Sequence, residues 1–249
     1  VAVRALSKLT WVQTKLYLRE PVGAFFTLLF APLVLILFGF IYGNDPVQML
    51  DGRGWMDVTV PAYVGLIIGT VGLMGVPIAT AAAREKGVLR RFHASPLRPL
   101  TYLVADVTVY LGMTLLGIVL LFLVGRIAYN IHIDGNLISL LAGICLGAFS
   151  FMALGYLLAG VAPTARVAQV VGMVLFYPMM FLSGAAVPLE VMPEGVRNVA
   201  RFLPLYHVVT LVKGLWFGDG WGKHLVAVGV LGGMLIVGTA LSARLFRWD

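Results

Sequence analysis

Six uninterrupted apolar runs, each about twenty residues long, most narrow what this chain can become. They cover residues 22–42, 61–83, 100–124, 137–161, 167–186 and 225–245. The 249 residues are 60% hydrophobic and 12% charged, with a mean hydropathy of +0.96. A water-soluble fold cannot hide that much apolar surface, because a core grows more slowly than its chain. Lipid is therefore the solvent. In lipid every backbone N–H and C=O must be satisfied within the protein, which leaves helices or a closed barrel. Barrel strands alternate apolar and polar side chains, and these runs do not. The fold class read from the sequence is an all-α membrane protein, a six-span helical bundle in one transmembrane domain over residues 21–249.

Basic residues set its orientation. Arg4, Lys8, Lys15, Arg19, Arg84, Lys86, Arg90, Arg91, Arg98, Arg166, Arg244 and Arg247 fall on one side of the six spans. Only Arg53, Arg126, Arg197, Arg201, Lys213 and Lys223 fall on the other, together with most of the acids. The positive-inside bias places the first side, with both termini, in the cytoplasm. The net charge of +7 thus reflects topology, and membrane lipid rather than nucleic acid is the expected partner surface. The first run starts after about twenty residues and is too long for a signal-peptide core, so it is read as a retained span.

Residues 1–20 precede that span. At about 100° per residue, Arg4, Lys8, Lys15 and Arg19 share one edge of a helix. Ala5, Leu6, Leu9, Val12 and Leu16 form a broad neighbouring face. This predicts an amphipathic interfacial helix in the headgroup layer, turned into span one at Pro21. A charged tail that only fixes topology is the plainer alternative.

Between spans two and three lies a charged island, "REKGVLRRFHASPLR", residues 84–98. A simple connector needs only a few residues. Arg84 to Ala94 reads as a short helix, stopped by Pro96, in which Val88, Leu89 and Phe92 form an apolar edge. Glu85 is its one acid among bases that include Arg84 and Arg91. Two readings stand side by side. One is a basic loop that sets topology. The other is a docking helix that inserts its edge into a cytoplasmic protein, with Phe92 as anchor and charge as steering.

After span five comes "FYPMMFLSGAAVPLEVMPEGVRNVARFLPLYHVVTLVKGLWFGDG", residues 176–220, too apolar for a free loop and too interrupted for a span. Pro178 is expected to kink span five. Beyond it Gly184, Pro188, Pro193 and Pro204 break the chain repeatedly, around a short amphipathic piece at 196–203. A broken, partly re-entrant pair of short helices fits. Irregular backbone at membrane depth is tolerated only when buried in protein or lining a wet cavity, which points to a translocation route.

Inside the spans, Gly65, Gly69, Gly72 and Gly75 share one face of span two, where small residues allow close helix approach, within the subunit or at a dimer or cavity face. Asp106, the one intramembrane acid, either pairs near the cytoplasmic end of span three or has a functional role. Phe26, Phe30, Phe176, Tyr177 and Phe181 in spans one and five line a substrate cavity or face lipid. Cys145, alone, forms no intramolecular disulfide and reads as a packing residue. His93, His132, His207 and His224 lack metal-ligand spacing. Neither a hydrolase nucleophile elbow nor a G-x-x-x-x-G-K-[ST] phosphate loop is present, so no catalytic role, bound cofactor or metal is expected of these residues.

"REKGVLRRFHASPL" after span two, with "FLSGAAVPLEVMP" and "FLPLYHVV" after span five, resembles the ABC-2-type transporter permeases, close to the bacterial drug- and antibiotic-resistance permeases. The resemblance runs the length of the chain. It implies a transmembrane half-transporter in the bacterial plasma (inner) membrane. Two permeases, identical copies or sisters, pair on two ATPase subunits that bind ATP and Mg. Residues 84–95 become the coupling helix on the ATPase, with Glu85 facing basic or polar groups there. Residues 188–206 become outward re-entrant helices at the exit gate, and spans one, two and five border the central cavity. The implied function is export of a hydrophobic or amphipathic cargo such as a drug, antibiotic, lipid or glycan. An ATPase-independent secondary transporter or channel is the rival reading, and would call for mid-membrane charges or an internal repeat.

Overall fold

The structure, a computed structural model, describes residues 2–50, 52–88 and 99–245. The N-terminal helix Ala2–Leu18 turns through Arg19 and Glu20 into span one. Pro21 opens that span, where its fixed φ and missing N–H suit a first helical position. Six helices are long and apolar enough to cross a membrane. These are Pro21–Tyr42, Trp55–Glu85, Thr101–Tyr129, Leu137–Val161, Ala165–Leu182 and Trp221–Leu245, spans one to six. They coincide with the six apolar runs, most of them within a few residues.

Span two departs furthest from its run. It begins at Trp55 rather than at Pro61, which falls inside the helix. The start is imposed from outside. Pro46–Val47 pairs antiparallel with Arg53–Gly54, and this small hairpin brings Asn44 over the end of the span. Asn44 Oδ1 accepts hydrogen bonds from the Met56 and Asp57 amides at 2.9 and 3.3 Å, satisfying donors that a helix start leaves orphaned. Asp57 Oδ2 accepts from the Gly54 amide at 3.1 Å. The Asn44 amide also donates to the Tyr129 carbonyl at 3.2 Å, so one side chain joins the ends of spans one, two and three.

Span two is the axis of the bundle. It is 78% buried, against at most 50% for any other span. Spans one, three, four and five and the helix Pro204–Trp216 surround it. Met56, Tyr63, Ile67, Ile68 and Leu73 are closed off entirely. Towards Glu85, Ala81 meets Ala162 and Ala168 in a second, small core flanked by Ile78 and Ala165.

Two π-helical turns interrupt the ladders, Phe25–Leu29 in span one and Val71–Gly75 in span two. Bonds from i to i+5 push carbonyl groups off the regular register. Glycines of neighbouring spans occupy that space. Gly117 of span three lies against the Thr27 carbonyl, Gly155 of span four against that of Gly72, and Gly172 of span five against that of Leu73. A Cβ at any of the three would overlap the oxygen. The glycines of span two itself lie against residues of the neighbouring helices. Gly65 faces Val209, Gly69 faces Phe176 and Leu205, Gly72 faces Phe151, and Gly75 faces Tyr110.

The cap and the glycine seats can each be tested by the thermal midpoint of the detergent-solubilised protein. Asn44→Ala removes the cap of span two and lowers stability by about 1–2 kcal/mol, while Asn44→Asp, which keeps the acceptor, loses less. Gly172→Ala drives a methyl into the Leu73 carbonyl and costs about 1–3 kcal/mol. Gly75→Ala, whose Cβ finds its nearest neighbour, Tyr110 Cε1, at 3.5 Å, is neutral or stabilising.

Candidate functional site

Span five runs on through Pro178 and ends at Leu182. Gly184 then turns the chain with φ of 89°, a left-handed conformation that glycine adopts without strain, and lies against Leu189. Pro188 is buried and leads into a single turn, Leu189–Val191. After Pro193 the short helix spans Glu194–Ala200 rather than 196–203; residues 201–203 form instead the turn into Pro204, the first residue of the helix Pro204–Trp216.

This last helix is among the most buried in the protein. Leu205, Val208, Val209, Leu211, Val212, Leu215 and Trp216 are all enclosed. It runs antiparallel to span two, Leu205 on Gly69 and Val209 on Gly65, while Val208 meets Gly147 and Leu211 and Leu215 meet Gly143 of span four. At its far end, Trp216 Nε1 donates to the His132 carbonyl at 3.0 Å. The Trp216 carbonyl accepts from the amides of Asp134 and Gly135 at 3.1 and 2.9 Å. The helix therefore begins well inside the bundle and climbs about 18 Å to the loop between spans three and four.

Polar groups gather along its length. Glu190 pairs with Lys213, and His207 Nε2 donates to the Arg201 carbonyl at 2.9 Å. Leu189, Glu190, Glu194, Arg197, Asn198, Arg201 and Tyr206 line a cavity of about 370 Å³. Phe202, 87% exposed, and Val199 point away from the protein nearby.

At the opposite end of span two the chain makes a second polar junction. Arg84 Nη1 donates to the Ala159 carbonyl at 2.9 Å, and Nη2 donates to that of Ala162. Glu85 Oε1 accepts from the Ala165 amide at 3.2 Å. These are the last carbonyls of span four and the first amide of span five, groups without partners inside their own helices. Of the other island residues, Val88 ends the described stretch. Leu89, Arg91 and Phe92 lie outside the described residues, as does most of the 84–95 segment.

The aromatic candidates separate. Phe176 is packed in the core on Gly69. Tyr177 and Phe181 stand exposed on span five. Phe26 and Phe30, their rings 5.2 Å apart, are half-buried on span one. Among the described residues Asp106 has a hydroxyl partner and no base: Tyr156 donates to its Oδ2 at 2.6 Å from span four. Close by, Tyr17 of the N-terminal helix bonds Thr27 Oγ1 at 2.6 Å and stacks edge-on to Tyr110, whose hydroxyl donates to the Gly75 carbonyl at 3.3 Å. Burial pushes the Tyr17 phenol up to about 12, so it stays protonated at neutral pH. Among the described residues no three His, Cys, Asp or Glu side chains come together as a metal site would require.

Sequence reasoning missed Asn44, the Glu190–Lys213 pair and the docking glycines Gly117, Gly155 and Gly172. Gly143 and Gly147 repeat at a helical interval and carried a readable signal; the others depend on partners far along the chain.

Comparison with known proteins agrees with this architecture. The sequence profile of the ABC-2 type transporter family matches residues 4–217. "Inner membrane transport permease YhhJ" of Escherichia coli (strain K12) is 23% identical over 215 residues, 82% of this chain and 57% of the relative. "Probable multidrug ABC transporter permease YbhR" of the same organism is 26% identical over 161 residues, 64% of this chain and 44% of the relative. "Nodulation protein J" of Rhizobium leguminosarum bv. viciae is 29% identical over 104 residues, 42% of this chain and 40% of the relative. The chain thus spans about half the length of the curated relatives it matches. With six membrane-spanning helices and a profile match over most of its length, this chain belongs to the ABC-2 type transporter family, as a multi-pass membrane permease.

Proposed function

We propose that this permease is the transmembrane subunit of an ATP-driven exporter in the bacterial inner membrane, with both termini cytoplasmic. Two permeases, a second copy or a sister, pair on two ATPase subunits, which hold the ATP and Mg. Residues 84–95 dock on the ATPase through the edge Val88, Leu89 and Phe92, with Arg91 steering. The N-terminal helix lies in the cytoplasmic headgroup layer. The cargo is hydrophobic or amphipathic.

The reading rests above all on the helix Pro204–Trp216. It starts beside Gly69, deep along span two, and returns to the loop at His132–Gly135. With the orientation drawn from the basic residues, that loop is outward, residues 188–206 descend into the outer half of the membrane, and the helix Pro204–Trp216 climbs back out. Charged side chains at such depth need water or a partner. The cavity lined by Glu190, Glu194, Arg197 and Arg201 supplies a wet vestibule, as an exit gate requires. The names of relatives that mention transport, multidrug transport and nodulation suit an exporter whose cargo varies between members.

Co-purification of the permease with an ATPase subunit expressed beside it tests the docking surface. Phe92→Ala is expected to weaken the complex by about 2 kcal/mol, roughly thirtyfold, with the permease still folded. An unchanged complex removes the docking role. Ion-gradient-driven uptake by the purified chain alone in liposomes overturns the ATP-driven reading altogether.

A further inference from the structure

We infer that Arg84 and Glu85 are positioning residues that fasten the coupling segment to the turn between spans four and five, so that force from the ATPase reaches span five through them. The inference rests on the docking role proposed for residues 84–95. It assigns Glu85 a different task from contact with the ATPase.

The two side chains reach the two sides of one turn. The Arg84 guanidinium spans the Ala159 and Ala162 carbonyls at the end of span four, and the Glu85 carboxylate takes the Ala165 amide at the start of span five. A fork of donors suits two carbonyls, and a carboxylate at a helix N-terminus gains from the partial positive charge there. Each residue is thus bonded to backbone, which cannot yield by changing rotamer. Immediately above, Ala81, Ala162 and Ala168 bring the three spans together with no long side chain between them. Higher still, Gly155 and Gly172 seat spans four and five directly on the carbonyls of Gly72 and Leu73. From Ala81 to the π-helical turn the closest approaches between these spans are made by alanine and glycine. A displacement of residues 84–98 is delivered to the four–five turn rather than lost in side-chain repacking. Span five then carries it to Leu182 and the segment beyond, Gly184 onward.

The task predicts an unusual mutational pattern. Glutamine keeps an oxygen that accepts the Ala165 amide but has no charge, so Glu85→Gln preserves a cap and destroys an ion pair. The experiment uses the complete permease with its ATPase in nanodiscs. Its background is Cys145→Ser with Phe181→Cys carrying a bimane label at the exposed end of span five. Three quantities are read: ATPase co-purification, ATP hydrolysis and the bimane response to ATP and Mg. Glu85→Ala and Arg84→Ala are expected to bind the ATPase at the unmutated stoichiometry while the bimane response falls about fivefold or more. Glu85→Gln is expected to retain both. Full responses in Glu85→Ala and Arg84→Ala overturn the clamp alone. Loss of the ATPase from both Glu85→Ala and Glu85→Gln makes Glu85 a docking charge and overturns the clamp equally. An unmutated permease that binds no ATPase overturns the docking reading itself. Should Arg84→Ala not fold, Arg84→Lys, which reaches only one carbonyl, is expected to give an intermediate response with binding intact.

Discussion

Direct contact between backbones along span two is the interaction on which the rest of the structure depends. In lipid, apolar side chains gain nothing by meeting one another rather than acyl chains, so helices must be held by close packing and by polar contacts. Here both are supplied at the same places. The π-helical turn Val71–Gly75 presents carbonyls outward, and Gly155 and Gly172 approach them closely enough for Cα–H···O contact. No side chain intervenes to act as a cushion. The Thr27 carbonyl and Gly117 repeat the arrangement between spans one and three. The buried polar side chains work in the same sense, since Ser150 donates to the Leu231 carbonyl and Ser242 to that of Ala153, tying span six to span four.

These contacts sort the helices into two groups that share span two. The N-terminal helix and span one lie along span three, held by the Tyr17–Thr27 bond and the Tyr17–Tyr110 ring contact. Spans four, five and six and the helix Pro204–Trp216 form the other group, with glycine or alanine at most of the close approaches. Asn44 at one end and Arg84 with Glu85 at the other complete the frame, each by bonding the unsatisfied termini of its neighbours. Packed interfaces of this kind switch between arrangements more readily than they deform.

The length and apolarity of the six spans made the fold class legible, since only helices of about twenty residues satisfy a lipid-embedded backbone. Pro204 and Gly184 likewise announced the break after span five, because their backbone constraints are local. What escaped was everything that depends on a distant partner. The start of span two is set by Asn44, just before the far strand of a hairpin, so Pro61 was a misleading marker. Asp106 suggested a nearby base, and its partner is Tyr156, a residue whose neutral side chain carries no charge pattern to trace. Phe176 has the same apolar character as Tyr177 and Phe181, and only the position of Gly69 decides that it is core. Gly155 and Gly172 had no signal at all, for the carbonyls they cover lie in a π-helical turn of span two that no local residue pattern announces.

Glu85 shows how a charged island can have two halves with separate work. As sequence, a lone acid among bases invites a search for a basic partner on another protein. As structure, the same acid is the cap of a helix eighty residues further on, and the arginine before it holds the end of the preceding span. The docking role proposed for the segment then needs only the residues from Val88 onward. Dividing the segment this way resolves a mechanical difficulty. A docking helix joined to the bundle only by the main chain would pivot about Gly87, which has a φ of 67° and nothing within 4 Å of its Cβ position. Anchoring the residues immediately before that pivot to two other spans gives the hinge a fixed side. Arg84 and Glu85 thereby tie the end of span two to the ends of two further spans.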